Sequence, residues 1–416
     1  MDYDLVLHIG APKAGSSAIQ AFLVSNRAIL EKAGYCYPEH GLDINQVSGG
    51  HSQQFGVKLI NGELAGAAEC LAGWLATARE KNLCLLLSAE AFYRQAEKLK
   101  ELTSGLRVKV LAYFRDPVES MISSYNQSVK RHYNTQKFTL FAKQQFKSKM
   151  VDKSGEIFKV WLEYFGKENV QVLPYDKKTF PQKKMEWFFL EALGVPHSLT
   201  EKFVFRNQLV NASYTPSALE LKRLLNVVLD REDPKMNHRT DWPLQKYSDG
   251  SSEIRPTAEE LLGADLYMAF TRKFKPTNEF MKTQILDFCP EGFLEYPVSN
   301  TGRWSGGAVP AVSLQQVMIE AFADQLDTVE YVFQRVIARL TDGKVPPPDV
   351  KLLAEILNID MASDDLAHTV FDPTRMNFPV SLKRTLPEGL RKIELLLKQN
   401  NLYDPVVALI QRILKL

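Results

Sequence analysis

The sequence predicts an α/β protein, a doubly wound parallel sheet in three layers followed by a helical C-terminal region. Three observations carry this. Short runs of consecutive apolar residues alternate with longer stretches whose apolar residues recur at helical spacing. A glycine-containing turn joins the first apolar run to the first helical stretch. Beyond about residue 210 the pattern becomes mostly helical.

Asp4-Leu5-Val6-Leu7-His8-Ile9-Gly10 reads as a short strand buried on both faces. The loop Ala11–Gly15 follows. A helix then starts at Ser16, with Ile19, Phe22, Leu23, Leu30 and Ala33 at helical spacing and Gly34 as its stop. Glu63–Glu80 is a second helix, with Leu64, Ala67, Leu71, Trp74, Leu75 and Ala78 on one face. Leu83–Ser88 and Val108–Phe114 are the second and third strands. Pro117 opens a helix carrying Val118, Met121, Ile122, Tyr125 and Val129 on its apolar stripe. Val170–Leu173 is a fourth strand, followed by an amphipathic helix near Lys183–Leu193. Ligands of such sheets bind at the carboxyl ends of the strands. Glu291–Pro310, rich in Gly, Pro and Ser, reads as a loop or boundary. The expected division is therefore an α/β domain over 1–300 and a helical region over 311–416. The latter has helical patterns over Gln315–Leu340, Asp349–Leu357, Pro387–Gln399 and Asp404–Leu416, broken by Pro346-Pro347-Pro348.

Composition narrows the class. The chain has 416 residues, 45% hydrophobic and 24% charged, which excludes extensive disorder, collagen-like repeats and a disulfide scaffold. Lys plus Arg is 51 and Asp plus Glu is 49, a net charge of +2, so a globally basic nucleic-acid binder is not expected. Cys36, Cys70, Cys84 and Cys289 form no CxxC pair, which points to buried thiols rather than a zinc site. The start Met1-Asp2-Tyr3-Asp4 lacks a basic region, and no apolar run approaches the ~20 residues of a membrane span. A cytoplasmic location is the expectation.

The most informative segment is Gly10-Ala11-Pro12-Lys13-Ala14-Gly15-Ser16-Ser17, between a strand and a helix. Backbone N–H groups at a helix start cradle anions, and glycines let the chain approach closely. The spacing resembles a Walker A loop, but Ser16 stands where a nucleoside triphosphatase has Lys. The only cation of the loop, Lys13, approaches from elsewhere. The second segment is Arg115-Asp116-Pro117-Val118-Glu119 at the end of the third strand. Asp116 is an N-cap, Pro117 suits the first turn and Glu119 would complete a capping box. Arg115 then sits at the carboxyl edge of the sheet, with Ser123 further along the helix. An arginine and a hydroxyl there suit a phosphate.

Together the two segments resemble the signature elements of sulfotransferases that use 3′-phosphoadenosine 5′-phosphosulfate (PAPS). Pro12-Lys13-Ala14-Gly15-Ser16-Ser17 is similar to the family's Pro-Lys-(Ser/Thr)-Gly-Thr-(Thr/Ser), with Ala14 as a departure. Arg115 through Tyr125 is similar to Arg-(Asn/Asp)-Pro-x-(Glu/Asp)-x3-Ser-x-Tyr. Val170–Asp176 and the stretch Phe188–Gly194 look like the family's fourth strand and its following helix. The likeness covers roughly residues 4–290. It implies a P-loop-like fold that binds PAPS as co-substrate, releases 3′,5′-adenosine diphosphate and needs no metal. It implies that Lys13 neutralises the leaving phosphate, that Gly15, Ser16 and Ser17 hold the 5′-phosphate, and that Arg115 and Ser123 hold the 3′-phosphate. Some carbohydrate-acting members place a catalytic Glu at a strand end, which points to Glu90 in Ser88-Ala89-Glu90 as general base.

The acceptor side is less defined. His8 reads as a hydrogen-bonded core histidine, and His51 as a loop residue lining the acceptor site. Lys and Arg at 130, 131, 137, 143, 147, 149, 153, 159 and 167 outnumber acids at 152, 156 and 163. This run is either a solvated helix face or a basic wall, including Lys130 and Arg131, for an anionic acceptor such as an acidic glycan. Arg303, in Asn300-Thr301-Gly302-Arg303-Trp304, is either an exposed loop residue or part of a lid over the nucleotide. Rival readings are a P-loop kinase or nucleoside triphosphatase, and a non-catalytic nucleotide-binding module whose C-terminal helices serve a partner or an oligomer.

Overall fold

The computed structural model describes residues 2–41, 48–176, 184–205, 213–296 and 309–378. The helical patterns expected at Pro387–Gln399 and Asp404–Leu416 lie outside these residues, as does Arg303.

The protein is α/β, with one five-stranded, all-parallel sheet. In chain order its first half runs β1 (Leu5–His8), α1 (Ser16–Ser25), α2 (Arg27–Lys32), β2 (Tyr35–Cys36), α3 (Gly56–Asn61), α4 (Leu64–Glu80), β3 (Cys84–Ser88), α5 (Ala96–Leu102) and β4 (Val108–Arg115). Then come α6 (Pro117–Arg131), α7 (Phe138–Lys147), α8 (Val151–Ser154), α9 (Ile157–Phe165), β5 (Val170–Tyr175), α10 (Met185–Ala192) and α11 (His197–Thr200). The remaining helices are α12 (Pro216–Leu225), α13 (Pro234–Gly250), α14 (Ala258–Leu262), α15 (Ala264–Phe280), α16 (Ala311–Phe322), α17 (Leu326–Leu340) and α18 (Pro348–Ile356).

The strand order is β2-β3-β1-β4-β5. From β1 the chain moves to the β2/β3 side, and from β4 it moves to β5. The reversal of direction therefore falls between β1 and β4, where parallel sheets open a crevice at their carboxyl ends. β1 and β3 are buried along their whole length, which is why they read as unbroken apolar runs rather than alternating ones. His8 at the end of β1 lies beside Ser88 of β3 and Leu111 of β4. The ladder continues into the glycine loop, where the Ile9 N–H donates to Leu111 O (3.0 Å) and the Ala11 N–H to Tyr113 O (3.0 Å).

Two expected elements divide. The helix expected from Ser16 to Gly34 breaks at Asn26. Its side-chain oxygen accepts from the Val204 N–H (2.8 Å), and its amide donates to Val204 O (3.1 Å) and Phe22 O (2.9 Å). The pattern Gln315–Leu340 is likewise two helices, α16 and α17. The thiols are also not uniformly buried: Cys36 and Cys84 are, Cys70 is half-buried and Cys289 is exposed, all four unpaired.

The cores divide the chain differently from composition. The sheet core draws on residues from Leu5 to Phe203, joined by Met281 to Leu294. A second apolar core joins Tyr214, Leu221, Leu225 and Leu244 to Leu314, Val332, Leu353 and Phe378. The helical unit thus begins near residue 213, not at 311. It also seals the end of α6. Asn226 donates to Val129 O (2.7 Å) and Asn134 O (3.1 Å), and Arg223 donates to Thr135 O (2.9 Å). The Val129 carbonyl, in the last turn of α6, is thereby satisfied from another unit, as are two carbonyls of the loop that follows. Among the described residues no helix is long and apolar enough to cross a membrane.

Candidate anion-binding and transfer site

The two motif segments meet at the β1/β4 crevice. The Arg115 guanidinium donates to the Lys13 carbonyl (3.1 Å) and to a Glu119 carboxylate oxygen (3.1 Å), and lies 5.3 Å from the centre of the Tyr175 ring. Residues 102 positions apart in sequence are thus held by one side chain, itself only 11% exposed. Asp116 caps α6, accepting from the N–H groups of Val118 and Glu119, both at 2.9 Å. Glu119 completes no capping box, because its carboxylate turns to Arg115 instead. Burial pushes the Asp116 carboxyl above the usual range.

The loop that delivers Lys13 has an unusual backbone. Lys13 has φ +67°, in the left-handed region that non-glycine residues rarely occupy. Gly15, at φ +82°, is the N-cap of α1, and no side chain caps that helix. A Cβ at Gly15 would lie 2.6 Å from Met185 Sδ and 2.9 Å from a Tyr175 ring carbon. Only glycine lets the start of α1 pack against β5 and α10 this closely. Pro12 and Ser17 are half-buried, and Ala14 is buried. The Ser17 and Ser123 hydroxyls, both half-buried, make no hydrogen bond among the described residues.

Glu90 stands just past the end of β3, at the first residue of a short 3₁₀ turn. The Ser16 hydroxyl donates to its Oε1. That hydroxyl is engaged with Glu90, so Ser16 has only its backbone N–H to offer an anion. Lys13 is half-buried, and burial lowers its pKa; the Glu90 carboxylate opposes this, while Lys153 and Arg115 add to it.

Beneath Glu90 the chain is fixed by two histidines. His8 Nδ1 hydrogen-bonds the Ser88 hydroxyl (2.7 Å), and the Ser88 N–H donates to His51 Nδ1 (3.1 Å). Gly50 presses on the same residue, since a Cβ there would fall 1.9 Å from Ser88 O. His51 is fully buried among the rings of Tyr37, His40 and Trp74 at 4.8 to 5.1 Å. Burial pushes both His8 and His51 down to about 3, so both rings are neutral. His51, expected to line the acceptor site, is fully buried and holds the backbone of Ser88, two residues before Glu90.

Lys130 and Arg131, expected on a solvated helix face or in a basic wall for an anionic acceptor, are both engaged with residues of α13. Lys130 is 5% exposed, bonds Gln245 and lies 4.5 Å from the centre of the Tyr214 ring. Burial brings it down to about 8. Arg131 pairs with the buried Asp241 at 3.1 Å. Both residues fasten α6 to α13.

The arrangement can bind an anion of high charge. It offers an uncapped helix N-terminus, a clamped arginine, the half-buried Lys13 and, just past β3, the Glu90 carboxylate. Compared with protein-family models, with curated proteins and with solved structures, the chain finds no match.

Proposed function

We propose that this protein is a sulfotransferase that moves a sulfuryl group from PAPS to a hydroxyl, most naturally that of a carbohydrate. The observation that carries the reading is the Arg115–Lys13 bond, which joins both motif segments at the crevice, with Glu90 just past the end of the neighbouring strand β3. A doubly phosphorylated adenosine needs two anion grips a nucleoside apart. In this reading the α1 N-terminus, with Ser17, takes the 5′-phosphate, and Arg115 with Ser123 takes the 3′-phosphate.

In-line transfer requires positioning and charge stabilisation more than covalent help. The acceptor oxygen forms a bond to sulfur as the bond from sulfur to the 5′-phosphate oxygen breaks. The electron pair stays on that phosphate, where Lys13 neutralises it. The acceptor proton passes to Glu90, whose other carboxylate oxygen is held by the Ser16 hydroxyl. A three-layer, P-loop-like arrangement belongs to the same proposal.

The test is direct. Calorimetry compares 3′,5′-adenosine diphosphate with ATP and Mg²⁺, and labelled sulfate transfer from PAPS is measured on a panel of glycans. Selective binding of the bisphosphate and transfer to a glycan are expected. Lys13→Ala should lower turnover by about 100-fold or more. Glu90→Gln should lose turnover and keep nucleotide affinity. Preference for ATP with Mg²⁺ would favour a kinase or nucleoside triphosphatase and end the proposal.

A further inference from the structure

We propose that the outer face of α7 is a docking surface for an anionic lipid bilayer, where Lys137, Lys143, Lys147 and Lys149 meet the headgroups around the apolar tip of Leu140. The inference stands apart from the sulfotransferase reading, because it draws on none of the crevice residues.

The face follows from helical spacing. Lys137, Leu140, Lys143, Gln144 and Lys147 fall within about a third of the helix circumference, and each is exposed. Leu140 is 54% exposed. The opposite side holds the helix in place. Ala142 is fully buried. The Tyr125 ring of α6 lies 5.1 Å from Phe138 and 5.2 Å from Phe141, and Phe146 packs edge-on to Phe270 of α15 at 5.1 Å. The Lys273 ammonium of α15 donates to the carbonyls of Phe146 and Ser148, which closes the C-terminal end of α7. The lysine face is therefore presented by a fixed element.

Charge decides what covers this face. No Asp or Glu occurs from residue 120 to residue 151. The side chains of Lys137, Lys143, Lys147 and Lys149 make no hydrogen bond or ion pair among the described residues. Lys137 acts on Asp349, but Arg223 already bonds that carboxylate twice. Glu260 of α14, which shares an apolar core with α7, is taken up in a capping box with Thr257. Composition then separates the partners. Protein interfaces deplete lysine and anchor on aromatic rings, and this face carries no aromatic ring. Nucleic acids and phosphopeptides are gripped bidentately by arginine, and α7 has none. Lysine stems that hold their ammonium groups at the water boundary around one leucine suit a bilayer surface, where the attraction is diffuse and additive.

The experiment uses the full chain and vesicles of phosphatidylcholine, alone or with about one-third phosphatidylserine, in co-sedimentation at about 0.15 M salt. Wild type should bind the anionic vesicles about tenfold or more tightly than the neutral ones, and the binding should fade toward about 0.5 M salt. A lysine at an anionic surface is worth about fivefold, so Lys143→Gln, Lys147→Gln and Lys149→Gln together should weaken binding by about 100-fold. Lys143→Arg, Lys147→Arg and Lys149→Arg together should keep it, and Leu140→Ser should weaken it at unchanged charge. Lys235→Gln, Lys344→Gln and Lys351→Gln together remove the same charge from exposed sites on the helical unit and should lose far less. Every substituted position is exposed, so loss of binding is not loss of fold. Equal binding of wild type to the two vesicles, or equal losses in the two sets of Gln variants, overturns the proposal. So does a wild type that ignores both vesicles yet binds a DNA duplex or polyglutamate through the same lysines, because the partner is then a polyanionic macromolecule.

Discussion

Replacing both His8 and His51 with Asn should make the protein less sensitive to mild acid, even though it weakens packing at neutral pH. Each ring takes a hydrogen bond with Ser88 at Nδ1, and the Asn side chain places a polar atom close to that point. In the folded chain both histidines stay neutral down to about 3, against 6.5 when exposed in the unfolded chain. The unfolded state therefore binds more protons below pH 6.5, and stability falls as pH falls through that value. The loss stops growing only near 3, where the folded rings also take protons. At about pH 5 the gap is about 1.5 units per ring, and at about 1.36 kcal/mol per unit the two rings together cost about 4 kcal/mol. The assay is chemical denaturation of wild type and the double variant at about pH 7.5 and pH 5. Wild type should lose about 4 kcal/mol more than the variant across that interval. Equal losses would show that these rings are not held neutral, and the account of the Glu90 strand end would fail with them.

Gly15→Ala should lower the thermal midpoint and the affinity for 3′,5′-adenosine diphosphate together. The left-handed backbone alone costs about 1–2 kcal/mol, before the overlap with Met185 and Tyr175 is counted. Unchanged unfolding and binding in that variant would remove the close-approach argument. Arg223→Met should cost about 3–5 kcal/mol in denaturation, because it strands Glu220 and Asp349 without the guanidinium that bonds both. A loss below about 1 kcal/mol would mean that those carboxylates find water. Arg115→Lys keeps the charge but cannot reach the Lys13 carbonyl and Glu119 together. Its bisphosphate affinity should fall about tenfold by calorimetry, and wild-type affinity would dissociate the clamp from nucleotide binding.

Much of the fold is legible in the chain because its signals are local. Strands buried on both faces read as apolar runs. The buried stripe Ala67, Leu71, Leu75 and Ala78 of α4 follows from spacing alone, and Asp116-Pro117 marks the start of α6. What escaped depends on distant partners. Nothing near Asn26 announces a break, since its cause is the backbone of Val204. Tyr35–Cys36 is too short a strand to show a period. The Gly, Pro and Ser content of 291–310 suggested a boundary, but membership of a core is decided by packing, and Tyr214 to Leu244 pack with the later helices. In the site, the pairing of the Lys13 and Arg115 segments was readable from order along a parallel sheet. The burial of His51 was not, because Tyr37 and Trp74 come from separate elements. The burial of Lys130 was hidden too, in a run of cations most of which are exposed, because its partners Gln245 and Tyr214 come from the helical unit.

Helix α6 spans 15 residues, about 22 Å, with the arginine clamp at its start and the helical unit bolted to its end. It behaves as a shared girder. A protein shortened to residue 300 would retain α12 and α13 yet strip away α16 to α18, exposing the apolar surface they bury. The girder would then rest on a half-uncovered foundation, so measurements on such a fragment would report on a displaced clamp rather than on a smaller version of the same crevice.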